Sequence, residues 1–157
     1  MVNLKEFRFV LSKETLGKLK IDSKRAKDFN DYYLLRNKRV RHFLATRGNK
    51  EEFVLIVSEP GRIVKRKISI DKKEANELMK QAELIIKKNG IGHFVVEGYE
   101  GYIEVVSAFE SGNKKPFVDE IQVEFELDSD KIPILKKILK PSKIIEEGMY
   151  DYMSRLK

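Results

Sequence analysis

The stretch "DEIQVEFEL" at residues 119–127 constrains this chain more than any other. Its residues alternate between charged or polar and apolar, and successive side chains of a β-strand point to opposite faces. Ile121, Val123, Phe125 and Leu127 therefore share one side, and Glu120, Gln122, Glu124 and Glu126 share the other. Carboxylates aligned on one face repel by about 0.3–1 kcal/mol per neighbouring pair when exposed. Such a row has two homes. It lies on the solvated outer face of an antiparallel sheet, or it faces cations.

Other segments carry the matching cations. In "RNKRVRHF" (36–43), Arg39 and Arg41 flank Val40, so a strand there puts both arginines on one side. In "IVKRKISI" (63–70), Lys65 and Lys67 share a side. In "LKEFRFVL" (4–11), Leu4, Glu6 and Arg8 alternate with Phe7, Phe9 and Leu11. Four separate solvated faces would account for these rows one at a time. A shared interior, with cationic and anionic rows around a ligand, accounts for them together.

The remaining pattern is strand-rich. Strands are expected near 32–35, 38–45, 51–59, 63–70, 91–98 and 102–109, with Pro60-Gly61-Arg62 turning a hairpin. Ser12 opens a short helix. Asp71, with Glu74 three residues on, opens a longer one predicted over 71–90, with Ala75, Leu78, Met79, Ala82, Ile85 and Ile86 as its apolar stripe and Asn89-Gly90 as its stop. Two helical stretches, "KIPILKKILK" and "SKIIEEGMYDYMSRLK", end the sequence. Without linker or repeat, residues 1–157 read as a single α+β domain, in which about eight antiparallel strands form a closed or nearly closed barrel with flanking helices.

Charge then narrows the partners. The formal net charge is +7, which favours an anion: a phosphorylated small molecule, polyphosphate or nucleic acid. The sequence has no cysteine and two histidines, so a metal here would be a hard cation on carboxylates. No apolar run approaches the roughly 20 residues of a membrane helix, and the opening residues lack the apolar core of a signal peptide. The expectation is a cytoplasmic protein without a membrane partner; the sequence leaves its oligomeric state open.

The ordered set of motifs resembles the CYTH, or triphosphate tunnel, superfamily along the whole chain. That family opens on a Glu-x-Glu-x-Lys strand, matched here at Glu6 with Arg8 in the lysine place and Leu4 in place of the first glutamate. A tyrosine-containing strand and an Arg-x-Arg strand follow, as in "DYYLLRNKRVRHF". Later strands keep Glu104, Glu124 and Glu126, and the end "IIEEGMYDYMSRL" looks like the family's terminal segment. The resemblance implies a barrel that holds a triphosphate, with phosphate contacts from Arg8, Arg39, Arg41, Lys65 and Lys67. It implies Mg²⁺ or Mn²⁺ on Glu6, Glu104, Glu124 and Glu126, with Glu6, Glu124 and Glu126 serving hydrolysis.

The sequence departs from the family at Val57, where a lysine is expected, at Val106, where an aspartate is expected, and at Lys65 and Lys67, where hairpin carboxylates are expected. The basic pair expected after the long helix is reduced to His93. Three readings follow. The chain is a metal-dependent triphosphate hydrolase, a non-catalytic binder of nucleotide, polyphosphate or a nucleic-acid end, or a basic interaction protein.

Overall fold

The structure is a computed structural model that describes residues 4–36, 41–47, 52–58 and 65–157, with side chains described at 4–33 and 69–157. In chain order the elements are β1 (Lys5–Leu11), α1 (Lys13–Gly17), β2 (Asp28–Arg36), β3 (Arg41–Arg47), β4 (Glu52–Ser58), β5 (Lys65–Ile70), α2 (Lys72–Met79), β6 (Leu84–Val96), β7 (Tyr99–Glu110) and β8 (Val118–Leu127). A 3-10 turn (Ser129–Lys131), α3 (Ile132–Leu139), β9 (Lys143–Ile145) and α4 (Met149–Leu156) complete them. The fold is α+β, an antiparallel sheet with helices beside it. Hydrogen bonds among the described residues do not close that sheet into a barrel.

Two compact units divide the chain. One comprises residues 1–26, 89–106 and 119–157, with strand order β6-β7-β8-β1-β9. Its apolar core gathers Phe7, Phe9 and Leu11 of β1, Phe94 of β6, Ile103 of β7, Val123, Phe125 and Leu127 of β8, and Leu135 and Leu139 of α3. The apolar half of each alternating strand thus faces inward, and α3 covers it with residues spaced four apart. The Phe125 ring lies 5.5 Å from Phe9, tilted, and 5.7 Å from Phe94, edge to face. Gly101 is required here, because a Cβ at that position would come within 2.7–2.8 Å of the Phe125 ring and Val123.

The other unit, residues 27–88 and 107–118, holds β5-β4-β3-β2 and the start of β6. The expected hairpin is present as β4 paired with β5, from Phe53↔Ile70 to Ser58↔Lys65; its turn lies outside the described residues. Asp71 caps α2 by accepting from the Glu74 amide at 2.8 Å, and Ser12 caps α1 by accepting from the Thr15 amide at 3.1 Å.

The long helix over 71–90 is corrected. Helix α2 ends at Met79, and Leu84 begins a strand. Leu84 and Ile86 are buried with Ile85 half-buried between them, which is the two-residue period of a strand. Asn89-Gly90 does not stop a helix but lies inside β6. The final helical stretch is likewise divided, since Lys143–Ile145 pairs with β1 and helix resumes only at Met149.

Candidate functional site

Because Phe7, Phe9, Val123 and Phe125 face the core, Glu6 and Arg8 of β1 and Gln122, Glu124 and Glu126 of β8 lie on the opposite side of the same ladder. The antiparallel register sets Arg8 directly across from Glu124 and Glu6 across from Glu126. On β7, Ile103 joins the core, so Glu104 falls on this polar side as well.

Arg8 is the hub. Its side chain is only 7% exposed, and Glu104 is 2% exposed. The terminal nitrogen Nη1 donates to Glu104 Oε1 at 3.0 Å and to Gln122 Oε1 at 3.3 Å, while Nη2 donates to Glu124 Oε2 at 2.6 Å. Glu6 Oε1 stands 3.8 Å from Arg8 Nε, close enough for attraction but too far for a hydrogen bond. Burial works against the Arg8 charge. The carboxylates of Glu124, Glu104 and Glu6 outweigh it and lift the guanidinium above its ordinary pKa.

Two donor nitrogens on this face find no acceptor among the described residues. Arg8 Nε and Gln122 Nε2 are buried and have no hydrogen-bond partner among the described residues. Turning the Gln122 amide over would aim its NH₂ at an Arg8 donor, so the orientation with Oε1 toward Arg8 is the favourable one. Buried donors of this kind are rare, and each costs free energy unless an acceptor reaches it.

At the Glu120 end of the β8 row, the C-terminal helix contributes Tyr152. Its hydroxyl lies 2.7 and 2.9 Å from the two Glu120 oxygens and donates between them. Lys143 Nζ and the Arg155 guanidinium carbon lie 5.7 and 5.9 Å from the Tyr152 ring centre. Burial, then the Glu120 hydrogen bond and charge, push the Tyr152 hydroxyl well above its usual pKa. Elsewhere in this unit, His93 stacks 4.6 Å from Tyr102. The His93 backbone exchanges two 2.8 Å hydrogen bonds with that of Asp22.

Of the expected phosphate contacts, Arg8 has a described side chain, and it is paired with carboxylates. Arg39 lies outside the described residues. Arg41, Lys65 and Lys67 are placed by backbone alone: Arg41 pairs with Ser58 of β4, Ser58 pairs with Lys65 of β5, and Lys67 pairs with Ile56. Of the expected metal ligands, Glu104 and Glu124 come together on Arg8. Glu6 and Glu126 are cross-strand partners at the more exposed end of the row. No three acidic or histidine side chains among the described residues form a set that would hold a metal ion. As arranged, these carboxylates do not fit a divalent cation. Sequence reasoning missed the roles of Gln122 and Tyr152; the signals were a neutral amide within an acidic row and a tyrosine on the amphipathic C-terminal helix.

Solved structures share this fold. The chain aligns with the inorganic triphosphatase NE1496 at 18% identity, over 95% of this chain and 90% of that one, with a TM-score of 0.60. A conserved hypothetical protein from Pyrococcus furiosus matches at 18% identity over 95% and 99%, TM-score 0.58. HpAC1 from Hippeastrum, a protein with a dominant triphosphatase activity, matches at 11% identity over 100% and 97%, TM-score 0.53. At these identities the likeness shows the fold. No protein-family model matches the chain, and no curated protein matches it by sequence. Among the described residues, no helix is long and apolar enough to cross a membrane.

Proposed function

We propose that the chain is a divergent CYTH-like protein whose polar sheet face binds a triphosphate-bearing ligand. One observation carries this reading: a sheet that needs only one apolar face to fold buries an arginine, a glutamate and a glutamine on the other, where two donor nitrogens have no acceptor among the described residues. Phosphate oxygens are acceptors, and guanidinium forks suit them. Arg8, Arg39, Arg41, Lys65 and Lys67 are the proposed phosphate contacts. The row Arg41–Ser58–Lys65 in backbone register is consistent with that assignment for two of them. The triphosphatase activity of NE1496 and HpAC1 supports the choice of ligand class.

Binding is favoured over turnover because Glu104 and Glu124 are already committed to Arg8. Hydrolysis is the second reading, suggested by the activity of those two neighbours. It would draw on Mg²⁺ or Mn²⁺ at Glu6, Glu124 and Glu126, which would have to rearrange to hold the ion.

The test is a melting-temperature series with tripolyphosphate, alongside phosphate release with Mg²⁺ and Mn²⁺. Ligand at 100 times its dissociation constant should add about 2.7 kcal/mol of stability. Arg39→Ala combined with Arg41→Ala should remove that gain. No phosphate release is expected. Metal-dependent release would establish the second reading, and an undiminished response in the double variant would place the anion elsewhere.

A further inference from the structure

We propose that Arg8 is the resident cation of this carboxylate set, so that the polar face takes its anion without a divalent metal ion. The inference rests on the anion-binding reading, but its test can be read independently. A hard cation gathers carboxylate oxygens around one point at about 2.0–2.6 Å. Glu104 and Glu124 instead reach two different nitrogens of one guanidinium, at 3.0 and 2.6 Å. The fork spreads their oxygens apart. Glu104, at 2% exposure, is the carboxylate that most needs a neighbouring positive charge, and Arg8 supplies it.

Gln122 points the same way. It is fully buried beside Arg8 and gives the guanidinium an acceptor at 3.3 Å through a neutral amide. A carboxylate at that row position would have brought another anionic oxygen into the same pocket. A divalent ion entering there would meet the Arg8 guanidinium already seated between Glu104 and Glu124. Like charges cannot share so small a space, so the ion and Arg8 compete for one seat.

The experiment is a Mn²⁺ titration followed by electron paramagnetic resonance of the free ion, with melting temperature as a second readout. Wild type is expected to leave Mn²⁺ free and its melting temperature unmoved. Arg8→Met is expected to bind Mn²⁺ and to regain part of the melting temperature that it loses. Mn²⁺ binding by wild type that disappears in Glu104→Gln overturns the proposal, and so does an Arg8→Met protein that folds yet ignores Mn²⁺. If Arg8→Met does not fold, tripolyphosphate binding to wild type decides. Equal affinity in EDTA and in Mn²⁺ supports the proposal, and an affinity about tenfold or more weaker in EDTA overturns it. Should tripolyphosphate bind in neither medium, the anion-binding reading fails, and the wild-type Mn²⁺ titration alone decides the role of Arg8.

Discussion

On one side of the β1–β8 ladder, Phe9 and Phe125 bring their ring centres to 5.5 Å; on the other, one residue along each strand, Arg8 holds Glu124 at 2.6 Å. Both sides are largely buried around these pairs, yet they contribute differently. The apolar side gains stability from non-directional contact and tolerates swaps that conserve volume. The polar side depends on each donor meeting its acceptor, and replacing a buried ion set with well-packed apolar residues is often neutral or stabilising. Stability therefore does not explain why Arg8, Glu104 and Gln122 are buried together. The proposed binding of an anionic ligand supplies a reason.

Breaking the apolar side should have the larger effect. Phe125→Ala removes the ring that joins Phe9 to Phe94 and is expected to cost about 4 kcal/mol in denaturant unfolding. The folded fraction should still respond to tripolyphosphate. Arg8→Met should cost about 3 kcal/mol, the low end for breaking a buried pair, because Glu124 keeps 34% of its side chain in water. Adding Glu104→Gln should recover most of that loss, since the uncompensated buried charge goes with it. A double variant as unstable as the sum of the two single variants would deny the pairing.

Smaller changes sharpen the contrast within the polar side. Tyr152→Phe removes the hydroxyl from Glu120 and should cost about 1.5–2 kcal/mol by thermal unfolding, without weakening tripolyphosphate binding. Leu4→Glu alters a residue that is 54% exposed and should change stability by no more than about 0.5 kcal/mol. In calorimetry, it should confer no Mn²⁺ affinity while Arg8 is in place.

The alternation in β1 and β8 could be read from sequence because period two is a local property, and it separated Phe125 from Glu124 correctly. The Ser12 and Asp71 caps were legible for the same reason. The β6 strand was not. Leu78, Met79, Ala82, Ile85 and Ile86 satisfy helical spacing, and only the tertiary environment shows Leu84 and Ile86 sharing a buried face. Gly92 was equally silent, although a Cβ there would meet the Asp22 carbonyl oxygen at 2.3 Å, so the Asp22–His93 bridge requires glycine. At the site, the sequence supplied Arg8, Glu104 and Glu124 but not their mutual pairing. Arg8 and Glu104 are 96 positions apart, and no local rule brings them to 3.0 Å.

The most direct measurement is the Nε–H resonance of Arg8 in a ¹H–¹⁵N spectrum, identified by its loss in Arg8→Lys and followed as tripolyphosphate is added in EDTA. Arg8 Nε begins without a hydrogen-bond acceptor among the described residues, so ligand oxygens arriving on the polar face should move this signal in a saturable way. A resonance that stays fixed while tripolyphosphate binds elsewhere would contradict the assignment of this face as the anion site.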